Sequence, residues 1–317
     1  MDARVATALS VAAGAALAVQ ARVNGSLTKQ LGAGSAVPTA AVSFSAGTAV
    51  LAVAVMAGRH TGAARAWSQW RAEGRPVRLW WFLGGLGGAS MVGSTAYAVP
   101  LVGVAFATVA AVSGQLVGSG VVDATGIGPG GRHAPTMLRA AGAALAFAGL
   151  ALAAAGRSSA PGGARIGLLL LIAGSGVLVA LQQAANGHVQ RITRDAPVAA
   201  LVSFSVGALA LVATSALLLV TGVIGPFHQP GLSRWWMFFG GIGGASYIAL
   251  SAATVRTLGV LTLSLGLTAG QLVAGLLFDA ALPAGEHLRW TTVIGAVLAA
   301  LAVVLVSREG ARPRARP

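Results

Sequence analysis

Side chains able to do chemistry are scarce in this chain, and most of them come in pairs. Gln115 and Gln271 each stand in a Gly-Gln-Leu-Val run, and Asp123 and Asp279 each open an Asp-Ala eight residues later. Gln20 and Asn24 are matched by Gln182 and Asn186, with Gln183 adding an amide on the second side only. Ser43 and Ser45 flank Phe44 as Ser203 and Ser205 flank Phe204, while the two tyrosines, Tyr97 and Tyr247, occupy unmatched places. An amide brings two donors and an acceptor, so the glutamines can orient a polar solute or bond one helix to another. A repeated carboxylate can carry a proton, or it can pair with a loop cation such as Arg132 or Arg289. Asn followed by Gly is a helix-ending signal, so Asn24 and Asn186 read first as caps that can also face a central space. Serines two apart do not share a helix face, which turns one of each pair inward.

Other chemistry is missing from the sequence. There is no Cys, which removes disulfides, thiolate metal sites and cysteine nucleophiles. The five His have no metal-ligand spacing, and no Ser-His-acid order, HExxH run or phosphate-binding glycine loop is present. The reading is therefore not an enzyme, with no cofactor and no metal.

The elements that carry these residues are membrane spans. The chain has 317 residues, of which 56% are hydrophobic and 9% charged; a water-soluble surface uses roughly 25%. Apolar runs of spanning length, roughly 20 residues, occur ten times, at about 5–23, 36–57, 80–99, 101–122, 137–156, 165–185, 198–220, 235–254, 258–278 and 290–307. The net charge of +14 comes from Lys29 and twenty Arg, nearly all in the gaps between runs, which suits membrane orientation and not a nucleic-acid partner. Of these 21 cations, 15 fall on the side of the termini, which places both termini in the cytoplasm. Trp80, Trp81, Trp235, Trp236 and Trp290 lie at span ends, where aromatic belts form, and Trp67 and Trp70 sit in an Arg-rich loop suited to the membrane surface. Eight residues of helix cover about 12 Å, so Asp123 and Asp279 are expected near the membrane surface.

The chain also repeats itself. Trp80-Trp81…Gly84-Gly85-Leu86-Gly87-Gly88 returns as Trp235-Trp236…Gly240-Gly241-Ile242-Gly243-Gly244, and Gly114-Gln115 as Gly270-Gln271. The latter offset is 156 residues; Ser43-Phe44-Ser45 returns after 160 and Asn24-Gly25 after 162. Five spans per copy is an odd number, so the second copy enters the membrane inverted, as in many secondary transporters. The expected fold is all-α and integral to the membrane: ten transmembrane helices as two inverted five-helix repeats, 1–160 and 161–307, with a basic tail at 308–317. The GxxxG spacing of Gly84, Gly88, Gly240 and Gly244 is read as close helix packing.

These motifs resemble the YdcZ-like family of the drug/metabolite transporter superfamily, in a fused two-repeat, EamA-like form covering about residues 5–307. The resemblance implies a ten-helix transporter of the bacterial inner membrane. The chain departs from the small multidrug-resistance relatives, which rely on an acid in the first helix; no acid lies within the first span here.

The expectation is a secondary active transporter moving a small organic solute by alternating access, with lipids around it and protons as a candidate coupling ion. Its expected solute-lining residues are Gln115, Gln271, Asn24, Asn186, Gln20, Gln182, Ser43, Ser203, Tyr97 and Tyr247, with Asp123 and Asp279 for coupling. Two rivals remain: a membrane scaffold or accessory subunit that binds a partner through the arginines of 59–78, and a lipid-carrier flippase.

Overall fold

The computed structural model describes residues 1–132 except 33, 59, 60 and 103, then 136–138, 140–142, 144, 145 and 148, then 162–225 and 232–281, with 294, 297, 298 and 301. Among these the regular elements are helices: α1 (Ala3–Leu31), α2 (Ala36–Ala57), α3 (Thr61–Ala72), α4 (Gly85–Val102), α5 (Val104–Thr125), α6 (Gly162–Thr193), α7 (Ala196–Val220) and α8 (Gly240–Ala281). Short 3₁₀ turns at Leu79–Trp81 and Leu232–Phe239 lead into α4 and α8. Among the described residues, five segments are long and apolar enough to cross a bilayer: Ala3–Gln20, Ala36–Ala57, Leu170–Thr193, Ala196–Val220 and Arg234–Val260. The fifth and tenth expected spans fall mostly outside the described residues.

Local chemistry sets several helix starts. Asp2 accepts from the Arg4 N–H at the head of α1, and Asp195 accepts from the Val198 N–H at the head of α7. Each satisfies one of the donors a helix start leaves without an internal partner. Outward faces are apolar: Val53, Met56, Leu209, Leu217 and Val220 are all exposed, as lipid contact requires.

Two expected boundaries are corrected. α1 does not stop at Asn24 but runs to Leu31, and α6 passes through Asn186 to Thr193. The Asn-Gly signal failed because Gly187 answers a packing need. A Cβ there would collide with Pro129 and Val255, so close contact outweighs the roughly 1 kcal/mol that a mid-helix glycine costs. At the other junction, Pro100 lies within the last turn of α4 and does not end it. Its counterpart in the second half is a kink at one residue, Gly259 (φ 75°, ψ 167°), which divides α8 into 240–258 and 260–281. Only glycine adopts that backbone readily.

The first helices cross over between the two halves of the chain. α1 packs most extensively on α8, α6 packs on α5 and α4, and α2 packs on α7. Missing side chains permit these crossings. A Cβ at Gly270 would strike the Val11 carbonyl of α1, and one at Gly114 would strike the Ala173 carbonyl of α6. In the reverse sense, Gly14 lies against Leu267 and Gln271 as Gly176 lies against Ala111 and Gln115. The same contact is thus made twice by matched residues.

Candidate functional site

Where α1 and α6 cross to the opposite half, each carries an amide into the core. Gln20 Nε2 donates to Ser43 Oγ at 3.2 Å, and Gln182 Nε2 donates to Ser203 Oγ at 3.2 Å, all four residues being buried. Glycines of the facing helix make the room. A Cβ at Gly244 would collide with the Gln20 amide, and one at Gly88 would lie 3.3 Å from the Gln182 amide. Gly240 and Gly84 stand in the same way against the Oδ1 atoms of Asn24 and Asn186. The GxxxG spacing is therefore packing, but of glycine onto amide. Backbone meets backbone one residue along, where Gly241 and Gly85 close on the carbonyls of Ser43 and Ser203.

Between the two clusters Phe44 and Phe204 stack, with centroids 4.7 Å apart and planes 23° from parallel. Gly47 gives space to the Phe204 ring and Gly207 to the Phe44 ring. The centre is thus two amide–hydroxyl pairs flanking an aromatic contact. Asn24 Oδ1 is buried with no hydrogen-bond partner among the described residues.

A second polar group breaks this symmetry. Gln183 Nε2 donates to Tyr247 Oη at 3.3 Å, and Ser264 Oγ donates to Gln183 Oε1 at 3.0 Å. Ser264 and Ser119 are 2.7 Å apart, and Ser119 donates to the Gln115 carbonyl at 2.6 Å. In that orientation two hydroxyl hydrogens serve three contacts. With the Gln183 amide turned over, Tyr247 donates to it, it donates to Ser264, and every contact is made.

One turn beyond Ser119, Asp123 Oδ1 accepts from the Val260 N–H at 2.8 Å, where the chain resumes as helix after Gly259. A carboxylate at a helix start meets free N–H groups and the positive end of the helix dipole. This end of the molecule is further packed by His188. Its Nε2 lies 2.7 Å from the Ile127 carbonyl oxygen, and its ring stacks on Trp81 at 4.4 Å with Trp80 edge-on. Trp67 and Trp70 of α3 pack beside them, with the Arg191 and Arg75 guanidinium groups over Trp70.

The sequence candidates are thus unevenly placed. Gln20, Gln182, Ser43, Ser203 and Tyr247 converge on the core, and Ser45 and Ser205 turn outward. Asn186 is buried beside Gly84 and is no cap. Gln115 and Gln271 are half-buried at the α5–α6 and α1–α8 crossings, and their backbones carry the contacts there. Asp123 is 3% exposed, buried within the protein where Gly259 opens a backbone site for it. The side chains of Tyr97 and Asp279 lie outside the described residues. Residue patterns alone did not single out Ser119, Ser264 or the His188 stack. Only the position of Ser119 one turn before Asp123, and of Gln183 beside Gln182, hinted at the asymmetric group.

The model of the family described as "Putative inner membrane exporter, YdcZ" matches residues 5–152 and again 167–305. The chain belongs to this family. As a YdcZ-type chain it carries the family region twice, in line with a two-repeat form within the drug/metabolite transporter superfamily. No curated protein matches it. Among solved structures, a crystal structure matches with 21% identity and a TM-score of 0.69, covering 98% of this chain and 99% of the other. That likeness shows a shared fold over nearly the whole of both chains. Family membership makes this a membrane transport protein in general terms.

Proposed function

We propose that the chain is a secondary exporter of a small organic solute in the cytoplasmic membrane. In this reading it has ten helices in two inverted repeats, both termini in the cytoplasm, and a path between the repeats lined around Gln20, Gln182, Ser43, Ser203 and Tyr247. The observation that supports it most is the doubled amide–hydroxyl pair around the Phe44–Phe204 contact, made by first helices that have changed halves. Polar groups inside a bilayer are costly unless bonded. Packing alone would be served by apolar residues, so two matched pairs at the centre favour a solute that exchanges hydrogen bonds with them. Alternating access follows if the matched contacts of the two repeats close opposite ends in turn. Asp123 and Asp279, repeated at the ends of their helices, are suited to coupling a proton gradient to that exchange.

The test is counterflow in proteoliposomes with a panel of metabolites and cationic drugs. At least one solute is expected to move, and the Gln20→Leu/Gln182→Leu double variant to lose that movement. Should no solute move, while neutralising Arg65, Arg71, Arg75 and Arg78 abolishes capture of a membrane partner, the scaffold reading replaces this one. Those four arginines are exposed, whereas the tryptophans of the same segment pack inward.

A further inference from the structure

The matched clusters belong to both repeats, but the ladder of Gln183, Tyr247, Ser264 and Ser119 does not. The first-repeat counterparts of Gln183, Tyr247 and Ser264 are Ala21, Met91 and Thr108, and the second-repeat counterpart of Ser119 is Gly275. Ser264 keeps a hydroxyl counterpart in Thr108, but symmetry of the fold does not require the other three polar side chains, although all four are buried. One further group points the same way. Ser251 lies one turn from Tyr247 on α8, is 2% exposed, and its Oγ is buried without a hydrogen-bond partner among the described residues. An unbonded hydroxyl in such a place is costly unless something bonds it part of the time.

We propose that this asymmetric ladder is the selective part of the transport site, and that it takes an uncharged solute bearing hydroxyl or amide groups. The inference rests on the transporter reading above and names its substrate class. Each ladder contact that α8 makes with α5 or α6 joins groups that both give and accept hydrogen bonds. Parting α8 from α5 and α6, which pack together, leaves Ser119 and Gln183 on one side and Ser264 with Tyr247 on the other, and a ligand with a donor and an acceptor restores both. Charge is disfavoured by what surrounds the ladder. No Lys or Arg is buried among the described residues, and the one buried carboxylate there, Asp123, already accepts from the start of a helix. A charge brought into this setting meets no free counter-charge.

The experiment uses the full chain in nanodiscs and liposomes with matched probes: nicotinamide, its carboxylate nicotinate and its ring-methylated pyridinium cation 1-methylnicotinamide, with glycerol and erythritol against glycerate and choline. Binding is read by thermal shift and movement by counterflow. Neutral members are expected to bind at least tenfold more tightly than their charged partners. Tyr247→Phe and Gln183→Leu are each expected to weaken that binding tenfold or more while the unliganded protein still melts cooperatively. A charged member that binds as tightly as its neutral partner overturns the proposal. So does neutral binding unchanged in both variants, or no neutral member binding at all. Movement of charged solutes alone removes this inference and keeps the transporter; neutral solutes that bind but never cross keep the site and remove the transporter.

Discussion

The two crossings, α1 on α8 and α6 on α4–α5, are built from equivalent residues, yet the polar chemistry beside them differs. At both, an amide reaches a serine over a glycine, and a second glycine closes on a backbone carbonyl. Beside α6 alone, a further amide, a phenol and two hydroxyls continue the network toward Asp123. The matched part is what the fold needs to hold two halves together without a hydrophobic driving force between helices. The unmatched part is the place where duplication has been overwritten, and that is where selectivity is best sought.

That comparison breaks most visibly where a glycine closes on a backbone carbonyl. Gly241→Val and Gly85→Val each push a side chain into the carbonyl of Ser43 or Ser203. Each is expected to cost about 1–3 kcal/mol or more as overpacking, seen as lost folded yield and a lower melting temperature in detergent. The two variants should match; a large gap between them would show that the crossings are not equivalent in energy.

Asp123→Ala removes the acceptor for the Val260 N–H and is expected to cost about 0.5–2 kcal/mol, as a lost helix cap does. Asp123→Asn keeps an acceptor and should recover most of that melting temperature. If both variants melt like the parent chain, the cap contributes nothing to stability.

Double-mutant cycles of Gln20 with Ser43 and Gln182 with Ser203 sharpen the equivalence further. Each pair is expected to show about 0.6–1.7 kcal/mol of coupling, the range for hydrogen bonds between membrane helices, and the two values should agree. The smallest effect is expected at the ring contact. Phe204→Leu should lose about 0.5–1.5 kcal/mol of stacking, and Phe44→Leu the same, since the two rings stack on each other.

Much of this was legible in the sequence because it is local or repeated. Gln20, Gln182, Ser43 and Ser203 stood out as matched polar residues in apolar runs, and the burial of one serine per pair followed from helix periodicity. Asn24 and Asn186 were misread as ends because a local signal was outweighed by packing from residues far away in the chain, Gly240 and Gly84 among them. For Asp123, eight residues of helix set its distance from Gln115 but not its partner, Val260, 137 positions away.

The sequence by itself determined that this is a helical membrane chain with two copies of one pattern and few polar groups, because composition, span length and a repeat offset need no knowledge of contacts. Tertiary structure alone decided that the first helices change halves, that Gln183 meets Tyr247 and Ser264, and that Gly259 seats Asp123 beside a helix start. Those outcomes depend on which helix faces which. A repeat makes two halves alike, but it does not say whether each packs on itself or on the other; that choice lies with the glycine clearances and amide contacts formed when the helices meet.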